Sequence, residues 1–267
     1  MSGVIVACLC CSRAPVPVGC TRRGGAVQKK ALIVWGGWDE HEPRQVAGIF
    51  ADMLRKESFA VEVSDTLDAF KSPKLADLDL IVPIWTMGEI TKEQVDPVVE
   101  AVANGTGIAG CHGGMCDSFR KEVKWHFMTG GNWVSHPGGA SIRYNVEFTR
   151  GSNPLVEGFQ DFELTSEQYY LHVDPAVEVL ATTRFPTVNW YHASNGAVDM
   201  PVIWTKRWGV GRIFYCSLGH HADVFQMDTP AEIMRRGFVW AAEGKRIARE
   251  RGLSAEQFKN ETKVFER

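Results

Sequence analysis

The sequence predicts an α/β fold: a mostly parallel sheet flanked by helices on both faces. Three observations carry this. Apolar runs alternate with amphipathic helical patterns throughout residues 31–120. The runs are apolar almost throughout, as in parallel strands buried on both faces. The stretch "GIAGCHGGMCDSF", residues 107–119, leads from such a run through a tight glycine turn into a helix start.

"ALIVW" (31–35) is the first strand, and "GGWDEHE" the loop after it. Pro43 suits the first helical turn, and Val46, Ile49, Phe50, Met53 and Leu54 then repeat on one helix face. "FAVEV" (59–63) and "LDLIVPIW" (78–85) are the next two strands. In "TKEQVDPVVEAVANG" (91–105), Thr91 and Gln94 form a capping box. Pro97 conflicts with that start, so a regular helix beginning at Asp96 is the competing reading. "GIAGC" is the fourth strand. The second half is richer in extended patterns: "SIRYNVEFT" (141–149), "VEVLATT" (177–183), "PVIWTKR" (201–207) and "GRIFYCSL" (211–218), the last two flanking "WGVG" as a hairpin. "TPAEIMRRGFVWAA" (229–242) closes the core as a helix capped by Thr229, with Pro230 at its first position.

The division is therefore one domain over 31–242. Residues 1–30 read as a disordered extension or a start codon set too far upstream, and 243–267 as a polar tail forming a short surface helix. The 267 residues carry a net charge of −3 and no strong basic run, which argues against a nucleic-acid partner. No apolar stretch approaches the roughly 20 residues a membrane helix needs. Seven cysteines, an odd number mostly clustered near the N-terminus, are not a disulfide framework; reduced thiols and a cytoplasmic location are expected.

"GTGIAG" (105–110) matches a dinucleotide fingerprint but ends a helix and enters a strand, the reverse of what that site requires, so no nucleotide cofactor is expected. "CHGGM" has the geometry of a nucleophile elbow, a sharp turn that lifts one side chain above the carboxyl end of the sheet. Gly113 and Gly114 permit the turn, and their amides are candidates to stabilise an oxyanion. Successive side chains alternate along a strand, so His112 is presented and Cys111 is turned into the packing. His220 lies just beyond another strand end, whereas His221 is expected to point outward. Trp38 and His41 follow the first strand. Ser135 and His136 lie in the loop "WVSHPGG", and Glu167 and Tyr169 in "FELTSEQYY". Trp38 and Trp133, read as loop residues, are the better sugar-stacking candidates among nine tryptophans, most of which fill the core.

"GGWDEHE", "GIAGCHGGMCDSFR", "GGNWVSHPGG", "NPLVEGFQDFELTSEQYY" and "MPVIWTKRWGVGRIFYCSLGH" together resemble the successive signatures of the trehalose-utilisation, ThuA-like family, in order over about residues 31–242. The resemblance implies a flavodoxin-like, class I glutamine amidotransferase-like fold. Such amidotransferases carry a cysteine at the elbow where this chain has His112, and a histidine–proline–glutamate motif where this chain has "HHA" at 220–222, so a working glutaminase is not expected. The resemblance also implies carbohydrate catabolism and, at His112 and His220, a divalent metal, zinc or manganese.

The leading reading is an enzyme acting on trehalose-type disaccharides or their 3-keto derivatives. His112, His220 and Glu167 would be acid/base residues or ligands, and Trp38, His41, Ser135, His136 and Tyr169 would line the sugar site. A non-catalytic sugar-binding protein and a thiol hydrolase using Cys111 are the alternatives. A small-molecule sugar is the expected partner, and a homo-oligomeric state stays open.

Overall fold

The computed structural model describes residues 28–151 and 153–259; the expected N-terminal extension lies almost wholly outside them. In chain order the elements are β1 (Lys30–Gly37), α1 (Pro43–Lys56), β2 (Ala60–Ser64), β3 (Leu80–Thr86), α2 (Lys92–Ala103), β4 (Gly107–Cys111), the single turn α3 (Gly113–Cys116), α4 (Val123–Thr129), β5 (Gly131–Ser135), β6 (Ile142–Phe148), β7 (Phe162–Ser166), β8 (Tyr170–Val173), β9 (Glu178–Phe185), β10 (Val198–Trp208), β11 (Gly211–Cys216), α5 (Asp228–Arg251) and the short α6 (Glu256–Lys259).

One nine-stranded sheet runs in the order β2-β1-β3-β4-β11-β10-β9-β6-β7. Its first five strands pair in parallel. From β11 onward the pairing is antiparallel, through β10, β9, β6 and β7. The parallel half has the doubly wound strand order expected of the fold class, and the antiparallel half extends it at one edge.

The strand period of two distributes side chains to opposite faces. Along β1, Ile33 joins the core under α1 and α5, while Leu32 and Val34 join the core under α2 and α4. Along β11, Phe214 takes the first face and Ile213 and Tyr215 the second. Helix α1 begins with Pro43 at its N-terminus and buries Val46, Phe50 and Leu54. The Phe50 ring meets Phe225 and Phe238 edge-on at 4.8 and 4.9 Å. Over β6 only one face is packed: Tyr144, Val146 and Phe148 are buried, while Arg143 and Glu147 face water.

Three local results decide or correct the sequence reading. Helix α2 starts at Lys92, with Gln94 Oε1 accepting from the Thr91 backbone N–H at 3.0 Å, and Pro97 sits inside it. The cap fixes the start, and the helix tolerates the missing proline N–H within its first two turns. Helix α5 does not stop at Ala242 but runs to Arg251, capped by left-handed Gly252. Lys245 and Ala248 are buried there, so the first part of the supposed surface tail packs on the domain. Polar composition concealed this, because the Lys245 stem packs while its ammonium donates to the Asn104 carbonyl at 3.4 Å. Third, Trp133 and Ser135 lie on β5, not in a loop; β5 pairs with β8 in a separate two-stranded ribbon.

Candidate functional site

The expected elbow is present. His112 follows β4 with φ 47° and ψ −136°, a strained positive-φ conformation that a non-glycine residue keeps only where its surroundings over-determine it. They do. The His112 backbone N–H donates to the Cys216 carbonyl at 2.7 Å, and its own carbonyl accepts from the Tyr215 hydroxyl at 3.0 Å. The two glycines after it are required by close approach. A Cβ on Gly114 would lie 2.9 Å from Ile84 Cα, and one on Gly113 would lie 2.7 Å from the Thr86 side chain. Cys111 is buried on the other side of the strand, as alternation predicts, and burial pushes its thiol well above the ordinary range.

The turn lifts the His112 ring into a cluster. Ligand-capable atoms of His41, His112, Glu167 and His220 all lie within 4.8 Å of one another. Glu167 Oε2 is 3.1 Å from His112 Nε2, 3.3 Å from His220 Nδ1 and 3.9 Å from His41 Nε2. Its other oxygen, Oε1, is 3.1 Å from His136 Nδ1. For His136 and His220 these approaches lack hydrogen-bond geometry, and both nitrogens are buried without a hydrogen-bond partner. The Tyr169 ring stacks on His112, centroids 4.0 Å apart.

Outer partners hold the rings. His112 Nδ1 lies 2.9 Å from the Ser217 carbonyl, which can only accept, so Nδ1 carries the proton. His41 Nδ1 is 2.9 Å from Thr86 Oγ1. Both arrangements turn Nε2 towards Glu167. The backbone around Glu167 is clamped as well. Tyr144 donates to the Glu167 carbonyl at 2.9 Å, and the Gln168 amide donates to Thr183 Oγ1 at 2.8 Å.

Burial and mutual repulsion set the charges. Burial first, and then the neighbouring His112, push His41 down to about 3. Burial also lowers His112, against the pull of Glu167. For Glu167 burial acts to raise the pKa, but the close approach and charges of His112 and His220 together hold the carboxyl below its ordinary value.

The structure thus brings together His41, His112, His136, Glu167, Tyr169 and His220. Trp38 is 45% exposed beside the turn that carries His41, and its carbonyl accepts from the His41 backbone N–H at 3.2 Å. Ser135, half-buried, pairs with Tyr170 across β5 and β8. One face of the Trp133 ring is covered: the Arg120 guanidinium lies 4.2 Å from its centroid. His221 is half-buried, and its ring sits 4.0 Å from that of His220. Thr86, Tyr144 and the Ser217 carbonyl were not among the expected site residues. Thr86 could have been found, since it ends a parallel strand beside the elbow.

A doubly wound sheet whose elbow presents an imidazole, faced by a carboxylate from an antiparallel extension, is the class that fold and site define. The family model for ThuA, trehalose utilisation, matches residues 30–241, and the chain belongs to that family. A thua-like protein from Bacteroides uniformis superposes with a TM-score of 0.67 at 19% identity, covering 80% of this chain and 91% of that one. One from Parabacteroides merdae gives 0.65 at 18%, covering 82% and 91%. A β-galactosidase from Bacillus circulans gives 0.52 at 13%, covering 85% of this chain but 32% of its own. At these identities the likeness is one of fold. No curated protein matches the chain. Family membership supports a carbohydrate-related role. Among the described residues no helix is long and apolar enough to cross a membrane.

Proposed function

We propose that this chain is a sugar-metabolising enzyme in which His41, His112, Glu167 and His220 hold one divalent ion, zinc or manganese, beside a trehalose-type disaccharide or its 3-keto derivative. One observation carries the reading. His112 Nδ1 is committed as a donor to the Ser217 carbonyl, yet Nε2 stands 3.1 Å from a carboxylate oxygen. A neutral ring with that tautomer presents a lone pair to the carboxylate, which is repulsive. Either a second proton or a cation must lie between them, and burial disfavours the imidazolium.

The donor set fits a cation. Three imidazole nitrogens and one carboxylate oxygen suit Zn²⁺, and also Mn²⁺ where the carboxylate and added oxygen ligands dominate. The approaches of 3.1 and 3.3 Å to Glu167 are near the ~3.3 Å separation of tetrahedral ligands about 2.0–2.1 Å from a metal. The contacts from Ser217 and Thr86 are the outer hydrogen bonds that orient ligating histidines. An ion bound there would supply Lewis-acid polarisation of a sugar oxygen or acidify a bound water. His136, with its side chain 39% exposed, borders the cluster and is placed to exchange a proton with the sugar. Tyr169 backs the His112 ring. The thiol-hydrolase alternative is disfavoured, because Cys111 is buried and its thiol is held protonated.

The test is elemental analysis of protein purified without added metal, followed by turnover of 3-keto-trehalose watched by NMR. The expected result is one ion per chain and product formation that chelation abolishes. A metal-free protein whose turnover is indifferent to chelator would overturn the reading.

A further inference from the structure

The four-residue cluster is deep and narrow. The void against His41, His112 and Gly113 measures about 10 Å³, room for about one water. A sugar must approach from elsewhere. A cleft of about 480 Å³ lies on the other side of His220, within the range of roughly 300–1,000 Å³ typical of small-molecule sites. One wall is the β6–β7 hairpin, with Arg143, Glu163 and Thr165; the other is the segment after β11, with His220, His221 and Asp223. The cleft touches the cluster at two points. His220 belongs to both, and Ser166 on the wall immediately precedes Glu167. The pockets of about 390 and 310 Å³, at residues 148–159 and 87–122, share no residue with the cluster.

The chemistry of the walls selects a ligand class. Arg143 and Glu163 pair at 2.5 Å, so their charges offset each other across the hairpin. Thr165, Ser166 and His221 can each donate or accept, and Asp223 accepts. Leu164 and Met227 add apolar surface. Interleaved donors and acceptors over some apolar surface, without an uncompensated cluster of positive charge, fit a neutral polyhydroxylated ring better than an anion or an apolar ligand.

We propose that this cleft is the subsite for the second, non-reacting ring of a disaccharide, and that it gives the protein its preference for a disaccharide over a monosaccharide. The inference rests on the sugar reading above. It makes the β6–β7 hairpin and His221 specificity-determining while His112, Glu167 and their partners remain the reacting centre.

Calorimetric titration with trehalose and with glucose tests it on the intact chain. Two variants are compared with the wild type: Ala140→Trp, which fills the cleft from its exposed lining turn, and the doubly substituted Arg143→Ala/Glu163→Ala, which removes the pair without changing net charge. Thermal melting reports whether each is folded, and the double variant keeps the test decisive if the tryptophan disturbs the turn. The expected result is a loss of trehalose affinity of about tenfold or more in each variant, equivalent to about 1.4 kcal/mol, with glucose affinity unchanged. Trehalose affinity equal to wild type in both folded variants would overturn the subsite and leave the sugar reading standing. A wild-type protein that binds neither sugar would overturn the sugar reading, and the subsite with it.

Discussion

The parallel and antiparallel halves of the sheet contribute to the site differently. The parallel half delivers imidazoles from strand ends: His41 from the segment after β1, His112 from the elbow after β4 and His220 from the loop after β11. The antiparallel half delivers Glu167 from a short strap between β7 and β8, held by Tyr144 and Gln168. One half supplies buried nitrogen donors on rigid strand ends, and the other brings the carboxylate that completes them. A site built across such a seam depends on the register of both halves.

Cutting the seam should have the largest effect. Glu167→Gln keeps the shape but removes the charge, leaving three imidazoles without the carboxylate between them. The expected loss of ion affinity exceeds the ~10–100-fold typical of an outer-partner change, with turnover falling alongside. Competition with a chromophoric chelator measures it. An affinity within threefold of wild type (about 0.7 kcal/mol) would show that the antiparallel half is a bystander.

Within the parallel half, Thr86→Val removes the hydroxyl that orients His41 while keeping its volume. Ion affinity is expected to fall by roughly 10–100-fold with little change in melting temperature. No change would mean that His41 is positioned by packing alone.

The two halves were unequally legible in the sequence. Parallel strands announce themselves as continuous apolar runs, so the elbow could be placed and alternation could choose His112 over Cys111. His41 and Glu167 were named, but their meeting was not derivable, because local patterns do not encode how a mixed sheet folds across itself. β5, β7 and β8 are four or five residues each and partly exposed, too short to show a period. Hence Ser135 and Trp133 read as loop residues, and Trp133 as a free aromatic ring, when Arg120 already covers one face. The continuation of α5 to Arg251 was hidden for a different reason: burial of a lysine stem leaves no apolar signal.

Acid should separate the contributions by window. His41 is pushed down to about 3 from an ordinary 6.5, and burial lowers His112 as well. Below 6.5 the unfolded chain therefore binds a proton at His41 that the ion-free native ring refuses, and native stability falls as pH falls. Glu167 contributes lower down: its carboxyl is held below 4.5, so its stabilisation is complete above that value and lost beneath it. Urea midpoints of chelator-treated protein should thus decline between about pH 7 and about pH 5 through His41. His41→Gln should flatten that decline. A wild-type profile already flat there would mean the rings are not held neutral.

A smaller effect is expected from Tyr144→Phe, which removes one buried hydrogen bond to the Glu167 carbonyl. The expected cost is about 1–3 kcal/mol in unfolding free energy, the penalty of an unsatisfied buried acceptor. Ion affinity should change less than in Thr86→Val, because the Glu167 backbone moves only if the strap does. A larger effect on ion binding than on stability would show that the strap, not the cluster, sets the position of the carboxylate.

The smallest effect is expected from Cys111→Ala, and it decides what kind of elbow this is. In an amidotransferase the elbow side chain is a thiolate, and its loss ends catalysis. Here the thiol lies one position earlier, on the opposite side of the strand, against Gly219. Burial, with Cys216 beside it, holds it protonated. Removing Sγ deletes core packing beside the small void that Cys111 lines together with His41 and His112. Turnover and ion content should be unchanged, and the stability loss should be about 1 kcal/mol, the low end for truncating a small buried side chain. Loss of turnover with ion content intact would restore the thiol as a reacting group. Unchanged turnover assigns the elbow's work to His112, the residue that the strand's alternation brings to face Glu167.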